Sequence, residues 1–252
     1  MSLNQEETRR YSRNIILPEI GAAGQEKLKV AKVLVIGAGG LGAPALVYLA
    51  ASGVGNIGIV DDDKVELSNL QRQIIHETGD IGRLKAESAR DALHDLNPLV
   101  NIKTHPVRLD EKNAAALISE YDLVLDGSDN IETRFLVNDA CHHLHKTLIS
   151  SAILGFQGQI STFKAYLLGN NPCYRCLYPD PPPVEAMPNC SENGVLSPLA
   201  GIMGAIQAAE AIKELLGIGE SLSGYILMVD LIKNEFRKTR LNREPACPLC
   251  RN

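Results

Sequence analysis

Between an apolar run at 32–36 and an Ala/Leu-rich run at 41–52 stands Gly37-Ala38-Gly39-Gly40-Leu41-Gly42. Strand, glycine turn and helix in that order form the first half of a β-α-β unit, the connection that parallel strands require. Glycines there permit a tight turn and let backbone N–H groups approach a phosphate at the helix N-terminus. Asp61 closes the next apolar run, 19 residues after Gly42, where a carboxylate can accept ribose hydroxyls. A nucleotide site in the N-terminal half is therefore expected.

The alternation continues along the chain. Short runs at 57–60, 102–107 and 123–125 read as strands buried on both faces, and 84–96 and 113–119 have helical spacing. Upstream, 5–29 reads as one or two helices joined by a turn at Gly21 and Gly24. Beyond residue 147 the pattern shifts to hairpins, 148–153 with 159–166 and 225–230 with 235–241. A proline-rich stretch at 179–195 reads as an exposed, mobile loop, and 199–216 as a packing helix, with a dimer contact as the alternative. The expected fold class is α/β: a Rossmann-like, doubly wound, mainly parallel sheet that continues into antiparallel strands and carries a structural four-cysteine zinc site. The expected divisions are a helical arm at 1–30, a nucleotide-binding half at 31–147, and a zinc-clipped half at 148–252, all within one domain.

Charged residues cluster after the strands. Ser68-Asn69-Leu70-Gln71-Arg72-Gln73 follows Asp61, Lys85 opens the next helix, and Asp126-Gly127-Ser128-Asp129-Asn130 follows the fourth strand. In a parallel sheet these positions lie outside the carboxyl ends of strands, so Gly40, Asp61, Asn69, Arg72, Lys85 and Asp129 can converge. Two cations and an aspartate suit a triphosphate with Mg²⁺: Arg72 and Lys85 neutralise phosphate oxygens and Asp129 holds the metal. The plainer reading is solvated loop cations, with Asp129 or Asn130 capping a helix that starts near Ile131. A nicotinamide dehydrogenase stays open at this point.

Two Cys-x-x-Cys pairs, Cys173/Cys176 and Cys247/Cys250, are separated by 70 residues. Four thiolates suit tetrahedral zinc and leave no open position, so the metal is structural and ties the C-terminal tail to the loop after the first hairpin. A redox role is disfavoured because two matched pairs occur and neither is expected to begin a helix. Cys141 reads as core. Cys190, in the proline-rich loop, is a candidate nucleophile.

A net charge of -5 gives no support to a nucleic-acid or anionic-membrane surface. The apolar run at 199–206 is too short to span a bilayer, and the first residues lack a basic and an apolar signal region. With six cysteines, a reducing, cytoplasmic setting is expected.

Taken together, Gly37–Gly42, Asp61, the stretch 68–73, Lys85, the stretch 126–130 and the cysteine pairs resemble the MoeB/ThiF family, bacterial relatives of ubiquitin-activating enzymes. The resemblance covers about residues 8–250 and is nearest to the molybdopterin-synthase adenylyltransferase branch, in a form without an attached rhodanese domain. It implies ATP-dependent adenylation of the C-terminal glycine of a ubiquitin-fold sulfur carrier that ends in Gly-Gly. Gly37, Gly39, Gly40, Gly42, Asp61, Ser68, Asn69, Leu70, Gln71, Arg72, Lys85, Asp129 and Asn130 then contact ATP, with Asp129 also on Mg²⁺. Arg13, in the run 10–17, matches an arginine that reaches the phosphates from the partner subunit of a homodimer. A rhodanese or a cysteine desulfurase is the implied sulfur donor. Cys190 matches a loop cysteine that acts as covalent sulfur or acyl partner in the thiamin branch, the main alternative. A tRNA-modifying dehydratase and a non-catalytic partner subunit are further alternatives.

Overall fold

The computed structural model describes residues 2–167, 169–181 and 194–251. Eight strands form one sheet in the order β3-β2-β1-β4-β5-β6-β7-β8. They are β1 Lys32–Ile36, β2 Asn56–Val60, β3 Asn101–His105, β4 Leu123–Asp126, β5 Thr147–Leu154, β6 Gln157–Phe163, β7 Tyr225–Asp230 and β8 Glu235–Arg240. Neighbours from β3 to β5 are parallel, and those from β5 to β8 are antiparallel. The chain steps outward from β1 to β2 to β3, then returns to β4 on the other side of β1. Strand order reverses there, and in open α/β sheets ligands bind outside the carboxyl ends of the strands at such a switch point, here β1 and β4.

Successive strand residues point to opposite faces. Val33 and Val35 of β1 enter one core, and Leu34 and Ile36 enter the other. The first core lies under helices α3 Gly21–Val30, α4 Gly42–Ala51, α5 Lys85–Leu96 and the long Ser197–Leu216. The second lies under α6 Ala114–Ser119 and α7 Ile131–His143. Burying each large apolar side chain stabilises the fold by about 1.5–3 kcal/mol, which is why strands covered on both faces read as unbroken apolar runs.

The N-terminal arm has three helices, with α1 Gln5–Arg10 and α2 Ser12–Ile15 preceding α3. Asn4 and Glu7 form a capping box on α1. Gly24 is inside α3 rather than in a turn; only Gly21, at a φ of +58°, has the backbone sign of a chain reversal. Tyr11 fills the space over Gly53, where a Cβ would stand 2.5 Å from its ring, and its hydroxyl accepts from Asn97. Asn14 and Gln25 both reach the Ser52 carbonyl. The arm is thus tied to the C-terminal end of α4.

Several strand boundaries differ from expectation, most of all at β3 and β6, which ends at Phe163 rather than Tyr166. β3 stops at His105 because Pro106 cannot donate to a ladder, and as an edge strand it is only half-buried. β6 begins at Gln157, directly after the tight turn at Gly155 and Phe156. The cysteine pair at 173–176 does begin a helix: Cys173 is the N-cap of α8 Tyr174–Leu177, followed in the described chain by α9 Ser197–Leu216. What disfavours redox chemistry is therefore the sulfur cluster alone. Helix α9 is a packing helix: at Gly204 a Cβ would meet the Leu41 carbonyl at 2.4 Å, so α9 and α4 touch backbone to backbone. Cys141 is buried in the second core.

Candidate active site

The glycine turn is built by close approach. Gly37 has a φ of +88°, a left-handed conformation that favours glycine, and donates its N–H to the Val60 carbonyl at 2.8 Å. At Gly42 an added Cβ would lie 1.8 Å from the Gly37 carbonyl oxygen, so the turn closes on itself only without a side chain. Ala38 donates its N–H to Asp61 Oδ2 at 2.7 Å. The N–H groups of Gly39, Gly40, Leu41 and Gly42 have no hydrogen-bond partner among the described residues. They sit at the start of α4, where free donors and the helix dipole attract an anion.

Around the turn the structure gathers the residues anticipated from sequence. Asp61, directly after β2, also accepts the Asp63 N–H at 2.9 Å. Burial raises its carboxyl above the usual aspartate value, opposed by the Lys85 charge and those two N–H donors. Arg72 follows the short 3-10 turn Leu67–Asn69; its guanidinium donates to the Ser68 carbonyl and its methylenes lie against Gly40. Asn69 is buried, and its Oδ1 accepts the Glu66 N–H. Ser68 and Gln71 are exposed, Leu70 is half-buried, and the Gln71 carbonyl accepts from Ser197 Oγ at the start of α9. Lys85 opens α5, is 6% exposed, and holds Asp63 Oδ2 at 2.7 Å.

On the other side of the switch point, Asp129 is exposed and has no hydrogen-bond or ion-pair partner among the described residues. Asn130 caps α7, its side chain accepting the Thr133 N–H at 2.9 Å. Asp126 is different in kind. It is fully buried and accepts from Ser128, Ser150 and Arg134, so it fastens the end of β4. Arg13 is not part of this gathering; it lies exposed on α2, at the opposite end of α4, about 15 Å away along that helix. Cys190 lies outside the described residues. Two residues at the site escaped the sequence reading: Asp63, the partner of Lys85, and His76, bonded to the Ala38 carbonyl; Gln73, the last residue of the motif 68–73 and given no role there, is buried beside Gly39. Only tertiary packing brings them there.

Away from the crevice, the sulfurs of Cys173, Cys176, Cys247 and Cys250 all lie within 4.8 Å of one another. The separations 173–247 and 176–250 are 3.6 and 3.8 Å. Four sulfurs about 2.3 Å from one ion stand about 3.8 Å apart in a tetrahedron, so the cluster fits zinc. The Cys173 N–H points at Cys176 Sγ and the Cys250 N–H at Cys247 Sγ, as donors that steady thiolates. The Cys173 side chain draws the Cys176 thiol below its ordinary value, while burial lifts Cys250. Among the described residues no helix is long and apolar enough to cross a membrane.

Residues 11–249 match the model of the ThiF family. A sulfur carrier protein adenylyltransferase of Thermus thermophilus is 50% identical over 99% of this chain and 93% of its own length. The probable adenylyltransferase/sulfurtransferase MoeZ of Mycobacterium tuberculosis is 49% identical over 98% of this chain, which spans 63% of it. The crystal structure of Escherichia coli MccB with ATP superposes with a TM-score of 0.83 at 25% identity, over 98% of this chain and 75% of that one.

Proposed function

Because the chain belongs to the ThiF family, we propose that it uses ATP to adenylate the C-terminal glycine carboxylate of a small ubiquitin-fold sulfur carrier of the molybdopterin-synthase type. The observation that carries this reading is the meeting of a glycine turn with free N–H donors, Asp61, Arg72 and Lys85 on one sheet edge, with Asp129 across the switch point. The name of the Thermus relative supports the carrier, and ATP in the MccB structure supports the nucleotide.

A carboxylate is ionised near neutral pH and is already nucleophilic, so the reaction needs no general base. The carrier carboxylate oxygen bonds to the α-phosphorus, the bond from that phosphorus to the bridging oxygen breaks, and pyrophosphate leaves with the charge. The protein contributes alignment and charge stabilisation. The free N–H groups of the turn hold phosphate oxygens, Arg72 and Lys85 neutralise developing charge, Asn69 contacts the same group, and Asp61 takes the ribose hydroxyls. Asp129 is an exposed carboxylate without a partner among the described residues, which fits a hard oxygen ligand for Mg²⁺. When bound there, Mg²⁺ offsets phosphate charge. The cysteine cluster takes no part in the chemistry; zinc there secures the C-terminal tail.

Arg13 serves the site of a second copy. Its helix is anchored away from its own crevice, and Ile16 and Leu17 beside it are 68% and 48% exposed, an apolar surface for a homodimer contact. The test is pyrophosphate exchange: label should enter ATP only with carrier present, and thiamin-type and molybdopterin-type carriers form the two arms. Exchange without any carrier, or none with either type, contradicts the reading.

A further inference from the structure

His76 has no part in the mechanism above, yet it grips the glycine turn from behind. It is 6% exposed. Its Nε2 lies 3.0 Å from the Ala38 carbonyl oxygen, and its Nδ1 lies 2.7 Å from Ser88 Oγ on α5. Ser88 is fixed in turn by Asp80, which pairs with Arg83. The ring is held at both nitrogens by separate elements.

A carbonyl oxygen accepts and never donates, so Nε2 carries the proton that faces Ala38. Burial lowers the His76 pKa, and the Ser88 hydroxyl, within reach of both Nδ1 and Asp80 Oδ2, has a single proton to give to one of them. The Ala38–Gly39 peptide is trans, so its C=O and its N–H point in opposite directions. With the carbonyl turned inward onto His76, the Gly39 N–H is turned the other way, and it is one of the donors without a partner among the described residues. The N–H on the other side of this residue pair, that of Ala38, is already used by Asp61. One peptide thus links the buried imidazole to the anion-binding face, and the His76 bond is the hydrogen bond that fixes its carbonyl.

We propose that His76 is a positioning residue for the nucleotide: by holding the Ala38 carbonyl it presents the Gly39 N–H to a phosphate oxygen. This rests on the nucleotide site described above and adds a residue and an atom to it. The substitutions are His76→Phe, which keeps the ring volume without a donor, and His76→Gln, whose amide N–H can reach the same carbonyl. In zinc-replete full-length protein, His76→Phe should weaken ATP binding about ten-fold, the size of one lost charge-assisted hydrogen bond. His76→Gln should recover most of that affinity. In the wild-type protein, the Gly39 amide proton resonance should move downfield with ATP and stay in place with adenosine. This last measurement stands even where His76→Phe fails to fold. Unchanged ATP affinity in folded His76→Phe, no recovery in folded His76→Gln, or a Gly39 amide indifferent to ATP overturns the assignment. Absence of ATP binding by the wild-type protein overturns the nucleotide reading itself.

Discussion

Arg72 lies across Gly40, with its Cγ and Cδ 3.5 Å from where a Cβ on that glycine would sit. The cation is therefore held against the turn by its own stem before any nucleotide arrives. A methyl at Gly40 would make ordinary van der Waals contact, whereas one at Gly42 would collide with the Gly37 carbonyl. Gly40→Ala should leave the melting temperature nearly unchanged and weaken ATP binding by about ten-fold, through obstruction of one phosphate contact. Gly42→Ala should cost about 3 kcal/mol or more, because backbone must move. Thermal melts beside calorimetric titration separate the two effects.

Lys85 and Asp63 form a lopsided pair, the cation side chain 8% exposed and the carboxylate 67%. Removing the exposed partner leaves a cation that a bound polyanion can still satisfy. Asp63→Asn should therefore reduce pyrophosphate exchange by no more than about ten-fold, while Lys85→Ala should reduce it by about a hundred-fold or more, the loss typical of one charge-stabilising donor. Equal losses in the two variants would show that Lys85 matters only through its partner.

The cysteine cluster should hold one zinc per chain. Cys176→Ser or Cys250→Ser should lower the zinc content measured by mass spectrometry. Stripping the metal with a chelator should lower the melting temperature by about 10 °C, as expected if several kcal/mol of binding energy is folding energy. Cys141→Ser should leave zinc content unchanged, since that thiol is buried in the second core.

Docking of the N-terminal arm should be acid-sensitive. Lys29, 2.8 Å from Glu7, and the Asn4 N–H hold the Glu7 carboxyl below its ordinary value. A carboxylate lowered in the folded state stabilises above its unfolded value, about 4.3, and the benefit is lost as pH falls through the lowered value. Hydrogen-exchange protection of α1 should fall across that window, and Glu7→Gln should flatten the dependence.

Much of the fold was legible in the sequence because buried strands and helix starts leave local signals. The run Tyr225–Asp230 is a strand at its expected limits, Lys85 opens its helix, and Asn130 caps α7 as its residue type suggests. Residues at the carboxyl ends of parallel strands meet by topology, so Asp61, Arg72 and Lys85 could be grouped before any coordinates. What escaped depends on packing across the chain. Asp126 sits in the same acidic motif as Asp129, yet only the fold shows that Arg134 and Ser150 bury it. His76 gave no signal because its partner, a backbone carbonyl 38 positions upstream, has no side-chain identity to read.

If one sheet edge activates a protein carboxylate on ATP, the adenylated carrier itself must be detectable. The most direct measurement is intact-mass spectrometry of a Gly-Gly-ending sulfur carrier after incubation with ATP, Mg²⁺ and this protein. The predicted result is a carrier heavier by one adenylyl group with the wild-type protein and an unmodified carrier with folded Arg72→Ala or Asp129→Ala. An adduct formed at the wild-type rate by both variants, or no adduct with the wild-type protein, would contradict it.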